Sequence, residues 1–259
     1  MRVVFVTQSE PFYIKFFFKR FLENYDPDHI KGIVIQNTLS QKKYSGIVRK
    51  ALDFYGIKGF LYMGFKNVGI RISGVLSKFM NIQPNSIEQI VQNYGIPILK
   101  HKSVNSREFL DFILEEKIDL IISVAASEIF RHEVLHTPRL GCINIHSGPL
   151  PKYRGMMPIF WTLYNNEKCA WVTIHKMVEK LDDGPIVLQD KFKIMPKETY
   201  NSLAKRSKEF AARLLLEVLG QFERQKVNYY PNDWSKATYY SFPTKVEMRQ
   251  FKKRGARIF

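Results

Sequence analysis

Short apolar runs rich in β-branched residues alternate along this chain with stretches of helical periodicity. Five apolar runs predict strands: Arg2–Thr7, Gly32–Gln36, Ile96–Leu99, Leu120–Val124 and Cys142–His146. Five stretches between them predict helices: Phe12–Asn24, Gln41–Tyr55, Ser86–Tyr94, Arg107–Glu116 and Glu128–Leu135. Such alternation predicts an α/β fold with a Rossmann-like, mostly parallel sheet and helices on both of its faces.

The second half of the chain continues this pattern and then changes. Ala170–Met177 and Ile186–Ile194 predict two more strands, and Thr199–Leu219 predicts a long amphipathic helix that stops at Gly220. The remaining residues are rich in tyrosine, lysine and arginine. We therefore expect a main domain over residues 1–197, with a C-terminal helix and a basic aromatic tail over 198–259 packed on it.

Residues 58–85 stand apart from the alternation. This segment contains three spaced glycines, several aromatic residues and the cations Lys66, Arg71 and Lys78. It has the character of an insertion between two units of the sheet. One interpretation is a helical excursion packed on the body; the alternatives are a lid, a substrate loop or an amphipathic surface segment.

The composition bears on the cellular location of the protein. Hydrophobic residues make up 45% of the 259 residues, and no apolar run approaches the ~18 residues of a membrane span. The apolar start at residues 1–7 is too short for a secretory signal and favours a first strand. Cys142 and Cys169 lack C-x-x-C spacing, so they indicate neither a metal site nor a disulfide framework. A cytoplasmic location is expected.

The formal net charge of +16 is the outstanding feature of the composition. Such a charge attracts anions, whether nucleic acid, phosphorylated metabolites or an acidic membrane surface. Charge alone does not choose among these partners, and a solvated basic surface is the simpler interpretation of most individual lysines.

Three side chains suggest a reaction. Asn144 and His146 are two residues apart on a predicted strand, so their side chains point to the same face. Asp182 follows 36 residues after His146, far enough for the chain to turn and return beside it. An amide and an imidazole can stabilise a tetrahedral oxyanion, and a carboxylate can collect a proton. This combination is suited to moving an acyl group onto an amine.

Other chemistries find less support. No G-x-G-x-x-G follows the first strand and no Walker A sequence is present, which argues against nicotinamide and ATP binding. Ser147 lacks the G-x-S-x-G surroundings of a serine nucleophile. His132 and His136 have the i, i+4 spacing of metal ligands but no accompanying third ligand, so no metal is expected. His175 is interpreted as structural.

Residues 144–155 (NIHSGPLPKYRG) and 181–184 (LDDG) resemble the formyltransferase family that uses 10-formyltetrahydrofolate. That family carries a motif close to N-x-H-P-S-L-L-P-x-Y-R-G and a later L-D-x-G. The chain departs from the motif at Ser147-Gly148-Pro149, where the family more often has Pro-Ser-Leu. The resemblance is good over about residues 95–195, and it includes the spacing between His146 and Asp182.

The resemblance assigns roles to particular residues. It implies Asn144, His146 and Asp182 as catalytic residues, with Asp183 as a loop neighbour. It places the pterin of 10-formyltetrahydrofolate between two segments, Ala125, Ala126, Ser127, Glu128 and Ile129 on one side and Val178, Glu179, Lys180, Leu181, Asp182 and Asp183 on the other. Ser147, Tyr153 and Arg154 are candidate substrate-binding residues, although Tyr153 and Arg154 could equally anchor their own loop.

The resemblance also bears on the acceptor amine. Glycinamide ribonucleotide enzymes have a Gly-Ser/Thr-rich phosphate loop after strand one, where this chain has Glu10. Methionyl-tRNA enzymes carry an additional C-terminal domain, for which we expect no room. A nucleotide-linked amino sugar or another small anionic amine is therefore expected, with its nucleotide near residues 58–85.

The alternatives to a formyltransferase are a 10-formyltetrahydrofolate hydrolase and a non-catalytic folate- or anion-binding protein. No specific nucleic-acid partner is expected; weak contact with anionic surfaces and a homodimer are left open.

Overall fold

A computed structural model describes residues 1–37, 44–76 and 85–259. Its main feature is a seven-stranded sheet formed by β1 (Val3–Gln8), β2 (Ile30–Gln36), β3 (Ile98–Leu99), β4 (Leu120–Val124), β5 (Cys142–His146), β7 (Cys169–Lys176) and β8 (Ile186–Lys193). The short strands β6 (Arg154–Gly155) and β9 (Tyr239–Tyr240) form a separate two-stranded sheet.

The large sheet has the order β3-β2-β1-β4-β5-β7-β8. The first five strands in this order are parallel, whereas β7 pairs antiparallel with both β5 and β8. Polar groups that follow the parallel strands consequently meet at one edge, which is where ligands bind in open sheets of this kind. The predicted fold class is confirmed.

Helices cover both faces of this sheet. The described helices are α1 (Ile14–Leu22), α2 (Tyr44–Leu76), α3 (Ile87–Asn93), α4 (Arg107–Glu115), α5 (His132–His136), α6 (Pro158–Tyr164), α7 (Tyr200–Glu223) and α8 (Lys245–Lys253). Helices α1, α3 and α7 share an apolar core with one face of the sheet, and α4 and α5 share another core with the opposite face. A third cluster, which includes Phe54, Phe160 and Phe251, joins α2, α6 and α8 to the body.

Two predicted helix boundaries were wrong, and a tertiary contact explains each difference. The helix expected over Glu128–Leu135 begins only at His132, because the Glu128 carboxylate instead accepts hydrogen bonds from the loop at residues 103–105. The helix expected to stop at Gly220 continues to Glu223, because it still buries Phe222 in the core beyond the glycine. In both cases tertiary contacts override local propensity.

The segment that the sequence set apart is helical as far as it is described. Helix α2 runs to Leu76 and changes direction at Gly56, whose φ of 71° is left-handed and suits glycine. Beyond this kink the helix buries Met63 and leaves Ile57 and Phe65 exposed. Residues 77–84 of the predicted 58–85 insertion, which include Lys78, lie outside the described residues.

Candidate functional site

Strand β5 carries two of the predicted residues at the sheet edge. The side chains of Asn144 and His146 lie on the same face of β5, as their spacing predicts. The antiparallel neighbour β7 places His175 directly opposite Asn144 in the ladder. After β7 the chain turns and brings Asp182 back to the same place, 3.7 Å from Nδ1 of His146 and 3.8 Å from Nε2 of His175. The three expected residues therefore meet, and His175 joins them.

The Asn144 amide is oriented by His175. The His175 ring lies with Nδ1 3.0 Å from the carbonyl of Lys176 and Nε2 3.2 Å from Nδ2 of Asn144. Burial lowers the pKa of His175 to about 4 against the opposing attraction of Asp182. The ring is thus neutral near pH 7, donates through Nδ1 and accepts from Asn144 through Nε2. This arrangement leaves the second N–H of the Asn144 amide for an oxygen of a substrate.

The second histidine, His146, is buried and fixed in one orientation. Its Nε2 lies 2.8 Å from the carbonyl oxygen of Tyr153, to which it donates. That bond assigns the tautomer and turns Nδ1 towards Asp182, at 3.7 Å. The ring nitrogen that does not bind the Tyr153 carbonyl therefore faces a carboxylate.

Asp182 sits in a tight turn that other residues define. Its backbone is left-handed, with φ of 52°, and its Oδ2 accepts the backbone N–H of Gly155 at 3.0 Å. Two residues later, a Cβ on Gly184 would lie 1.8 Å from the carbonyl oxygen of Lys176. Only glycine allows this close approach, so the Asp-x-Gly spacing has a steric cause. Ala125 and Tyr153 are also left-handed, and such backbone strain is common at functional sites.

The segment Ala125–Ile129 follows β4 and reaches the same edge. Ser127 donates its backbone N–H to Oε1 of Gln36 at 2.7 Å. Glu128 accepts hydrogen bonds from Gln36, Ser103 and the Val104 backbone N–H, so its side chain ties three loops together. Both polar side chains are thus engaged within the protein. Backbone groups and the exposed side chain of Ile129 remain for a ligand.

The opposite segment, Val178–Asp183, presents apolar side chains to solvent. Val178 and Leu181 are exposed. Nδ1 of His132 lies 2.9 Å from Oε1 of Glu179, which links this segment to the chain that follows Ile129. Together with Ile129, these exposed side chains give the two segments an apolar surface.

The candidate substrate residues differ in their surroundings. Tyr153 is buried, donates its hydroxyl to Glu167 at 2.6 Å and stacks on Tyr240, so it anchors its loop. Arg154 holds its guanidinium 4.2 Å from the ring centroid of Trp234 and donates to the carbonyl of Leu181. Ser147 is buried.

The C-terminal segment holds both loops of the site, which the sequence analysis did not foresee. Strand β9 pairs with β6 next to Arg154, and the Thr238 hydroxyl accepts the backbone N–H of Tyr153 at 2.8 Å. The Asn232 amide donates to the carbonyls of Asp183 and Gly184, at 3.2 and 2.6 Å. The loop before β6 and the turn at Asp182 are thereby fixed to one another.

The arrangement offers an amide donor, a buried imidazole and a carboxylate around one point. These groups can stabilise an oxyanion and accept a proton from an attacking nucleophile. Within the part of the chain that the structure describes, no cluster of three or more His, Cys, Asp or Glu side chains could hold a metal ion.

The chain is similar to known proteins in sequence. The family model "Formyl transferase" matches residues 71–219. A methionyl-tRNA formyltransferase of Kosmotoga olearia is 38% identical over 156 residues, which are 60% of this chain and 50% of that protein. The chain thus spans about half the length of this curated relative.

Solved structures share the fold at low sequence identity. A phosphoribosylglycinamide formyltransferase from Anaplasma phagocytophilum has a TM-score of 0.60 and 16% identity, and the match covers 93% of this chain and 98% of that one. An N-formyltransferase from Helicobacter canadensis, in complex with folinic acid and dTDP-3-aminofucose, has a TM-score of 0.55 and 16% identity over 93% of this chain and 71% of that one. Because the family model matches more than half of its residues, the chain belongs to the formyl transferase family.

Proposed function

We propose that this protein transfers a formyl group from 10-formyltetrahydrofolate to a primary amine. The observation that carries the proposal is the meeting of Asn144, His146 and Asp182 at the sheet edge, with the Asn144 amide turned by His175. A family match over residues 71–219 supports it.

The reaction follows from the donors and acceptors at the site. The amine nitrogen attacks the formyl carbon, and the oxygen gains negative charge as the new C–N bond forms. The free N–H of Asn144 and the His146 imidazole stabilise this oxyanion, whose charge develops only in the transition state. Asp182 accepts the proton of the amine, directly or through a water molecule. When the bond from the formyl carbon to the folate nitrogen breaks, that nitrogen takes up a proton.

The folate would lie between Ala125–Ile129 and Val178–Asp183. The exposed side chains of Ile129, Val178 and Leu181 supply an apolar surface for the pterin, and backbone groups of Ala125 and Ala126 supply polar contacts. The Ser127 hydroxyl donates to Gln36 and the Glu128 carboxylate accepts from it, and these bonds hold the wall in position. Lys180 and Asp183 pair at 3.5 Å at the far end of the second segment.

The proposed acceptor is a nucleotide-linked amino sugar or another small anionic amine. The N-terminus of α1 is already occupied, which argues against a phosphate-binding site after β1. The Glu10 carboxylate accepts the backbone N–H groups of Phe12, Tyr13 and Ile14 at 2.8, 2.7 and 3.1 Å, and so occupies the helix N-terminus where a phosphate would bind. An N-formyltransferase with the same fold was solved with dTDP-3-aminofucose, which supports an amino sugar.

A second acceptor, methionyl-tRNA, is favoured by a different observation. The relative at 38% identity is a methionyl-tRNA formyltransferase, and a net charge of +16 suits an RNA. The two acceptors are therefore tested side by side.

One experiment separates these possibilities. The protein is incubated with 10-formyltetrahydrofolate and, in parallel, with nucleotide-linked amino sugars, the same sugars without nucleotide, glycinamide ribonucleotide, charged initiator tRNA or no amine. Mass spectrometry of the products is expected to give a formamide of the nucleotide-linked sugar, with less product when the nucleotide is removed. Formate release without any amine would indicate a hydrolase. Folate binding with no turnover of any amine would contradict the proposed enzyme activity.

A further inference from the structure

Helix α2 presents a row of large apolar side chains to solvent. Beyond the kink at Gly56, the side chains of Ile57, Leu61, Phe65 and Val68 are spaced by three or four residues and share one face. The exposed fractions are 74% for Ile57, 53% for Leu61 and 76% for Phe65. We refer to these four residues as the α2 stripe. A continuous exposed row of this kind marks an interaction surface.

Gly59 and Met63 on the opposite face of the helix are buried, so the stripe is not a consequence of loose packing. Met63 is buried, and the ring of Phe259 approaches Gly59 so closely that a Cβ there would lie 2.9 Å from it. The orientation of the helix about its axis is thereby fixed, with the stripe outward.

Positive charge lies beside the start of the α2 stripe. Among the residues of α2 whose side chains are described, Arg49, Lys50 and Lys58 are cationic and Asp53 is acidic, and the neighbouring α8 carries four Lys or Arg residues and one acidic residue. The acidic residue of α2, Asp53, pairs with Lys245 of α8 at 3.1 Å. Nζ of Lys252 lies 3.7 Å from the position a Cβ would take on Gly56, beside the start of the stripe. Lys58 is exposed within the same turn of helix as Ile57 and Leu61.

We infer that the α2 stripe, Lys58 and the cations of α8 form a docking surface for an anionic membrane. A helix with exposed bulky apolar residues and flanking cations lies in the plane of the lipid interface, where apolar burial and attraction to acidic headgroups add together. Contact is peripheral: among the described residues no helix has both the length and the apolar character to cross a bilayer.

Charge and side-chain type favour an acidic membrane over two other partners, a second copy of this chain and a single-stranded nucleic acid. A second copy would meet the surface with the same basic face in a twofold contact, so like charges would oppose each other. A single-stranded nucleic acid would require several aromatic rings for base stacking, whereas three of the four stripe residues, Ile57, Leu61 and Val68, are aliphatic and only Phe65 is aromatic. An acidic lipid surface satisfies the cations and the aliphatic row together.

The test is co-sedimentation of the full chain with vesicles, without folate or amine, so that its outcome is independent of the proposed reaction. Vesicles of phosphatidylcholine with one quarter phosphatidylglycerol are compared with pure phosphatidylcholine. We expect binding to the acidic vesicles that weakens as salt is added. The double variant Leu61→Ser/Phe65→Ser should bind at least tenfold more weakly, since burying each side chain is worth ~1.5 kcal/mol or more.

Matched controls identify the surface. Leu114→Ser removes a leucine that is 58% exposed on α4, and it should leave vesicle binding unchanged. Lys58→Glu should weaken binding about fivefold or more, since each cation near an acidic membrane contributes ~1 kcal/mol, whereas Lys226→Glu should have little effect. Three results would overturn the inference: equal binding by the stripe variant and the Leu114 control, no binding of the parent protein at low salt, or a self-association of the parent without lipid that the stripe variant abolishes.

Discussion

Nδ2 of Asn144 lies 3.2 Å from Nε2 of His175, and the two residues are direct partners in the antiparallel ladder between β5 and β7. The buried, neutral imidazole accepts one N–H of the amide, so the amide nitrogen faces the site and its second N–H is available. The register between β5 and β7 therefore determines that the nitrogen of the Asn144 amide, and not its oxygen, faces the site.

Replacement of Asn144 by alanine tests this donor. Asn144→Ala should lower turnover about 10²–10³-fold, the loss typical of one oxyanion donor. Folate binding should persist, because the proposed pterin contacts lie elsewhere. Asn24→Ala, at an exposed position two residues after the end of α1, is the control and should retain full turnover. Equal activity of the two variants would remove Asn144 from the mechanism.

The two adjacent aspartates offer a matched comparison. Asp182→Asn should reduce turnover at least as strongly as Asn144→Ala, because asparagine keeps the shape but cannot accept the amine proton. Asparagine tolerates the left-handed backbone at this position, so the turn should survive. Asp183→Asn should cost less than about tenfold, since Asp183 is more exposed and pairs with Lys180. Steady-state rates with a saturating amine provide the measurement, and comparable losses in both variants would contradict the assignment.

The sequence predicted the five parallel strands well because buried parallel strands are continuous apolar runs. It also brought Asn144, His146 and Asp182 together, through their spacing and the family motif. It missed the place of His175 because nothing within 169–176 reveals which strand lies opposite. That neighbour depends on an antiparallel pairing, and a shift of one residue would turn the imidazole to the other face.

The C-terminal contacts were equally hidden from sequence reasoning. Asn232 and Thr238 bind backbone groups of the site loops. Contacts between side chains and distant backbone leave no periodic pattern in the sequence. The start of α5 was missed for a related reason, because the engagement of Glu128 by Ser103 and Asn105 involves residues more than twenty positions away.

Acid should destabilise the protein through His175. Its pKa falls from 6.5 to about 4 on folding because burial disfavours the charged ring. Between these values the unfolded chain binds a proton that the folded chain does not, so stability decreases as pH falls through this window and this loss is complete below about pH 4. The full effect is about 3 kcal/mol.

The measurement compares urea unfolding of the parent and His175→Gln between pH 7 and 4. Glutamine retains an acceptor for Asn144 but does not titrate, so the free energy of unfolding of the variant should change less over this range. His136→Gln, at an exposed position, should follow the parent. If the parent and His175→Gln have the same pH dependence, His175 is not the group responsible.

The turn that carries Asp182 depends on the absence of a side chain at Gly184. Gly184→Ala would place a Cβ 1.8 Å from the carbonyl oxygen of Lys176, and the turn that carries Asp182 must then move. A methyl group cannot be accommodated by a side-chain adjustment, because the obstacle is backbone. We expect a loss of about 3 kcal/mol or more in the free energy of unfolding, within the range of severe single substitutions, and a fall in turnover as Asp182 leaves the amide and imidazole.

The control, Gly69→Ala, lies in helix α2 with no atom within 4 Å of the new Cβ. Alanine favours the helix over glycine by ~0.5–1 kcal/mol, so this variant should be as stable as the parent or more so. Thermal unfolding and turnover are measured on both variants. A Gly184→Ala protein that unfolds and turns over like the parent would show that the turn does not need glycine, and the steric account of the Asp-x-Gly spacing would then be wrong.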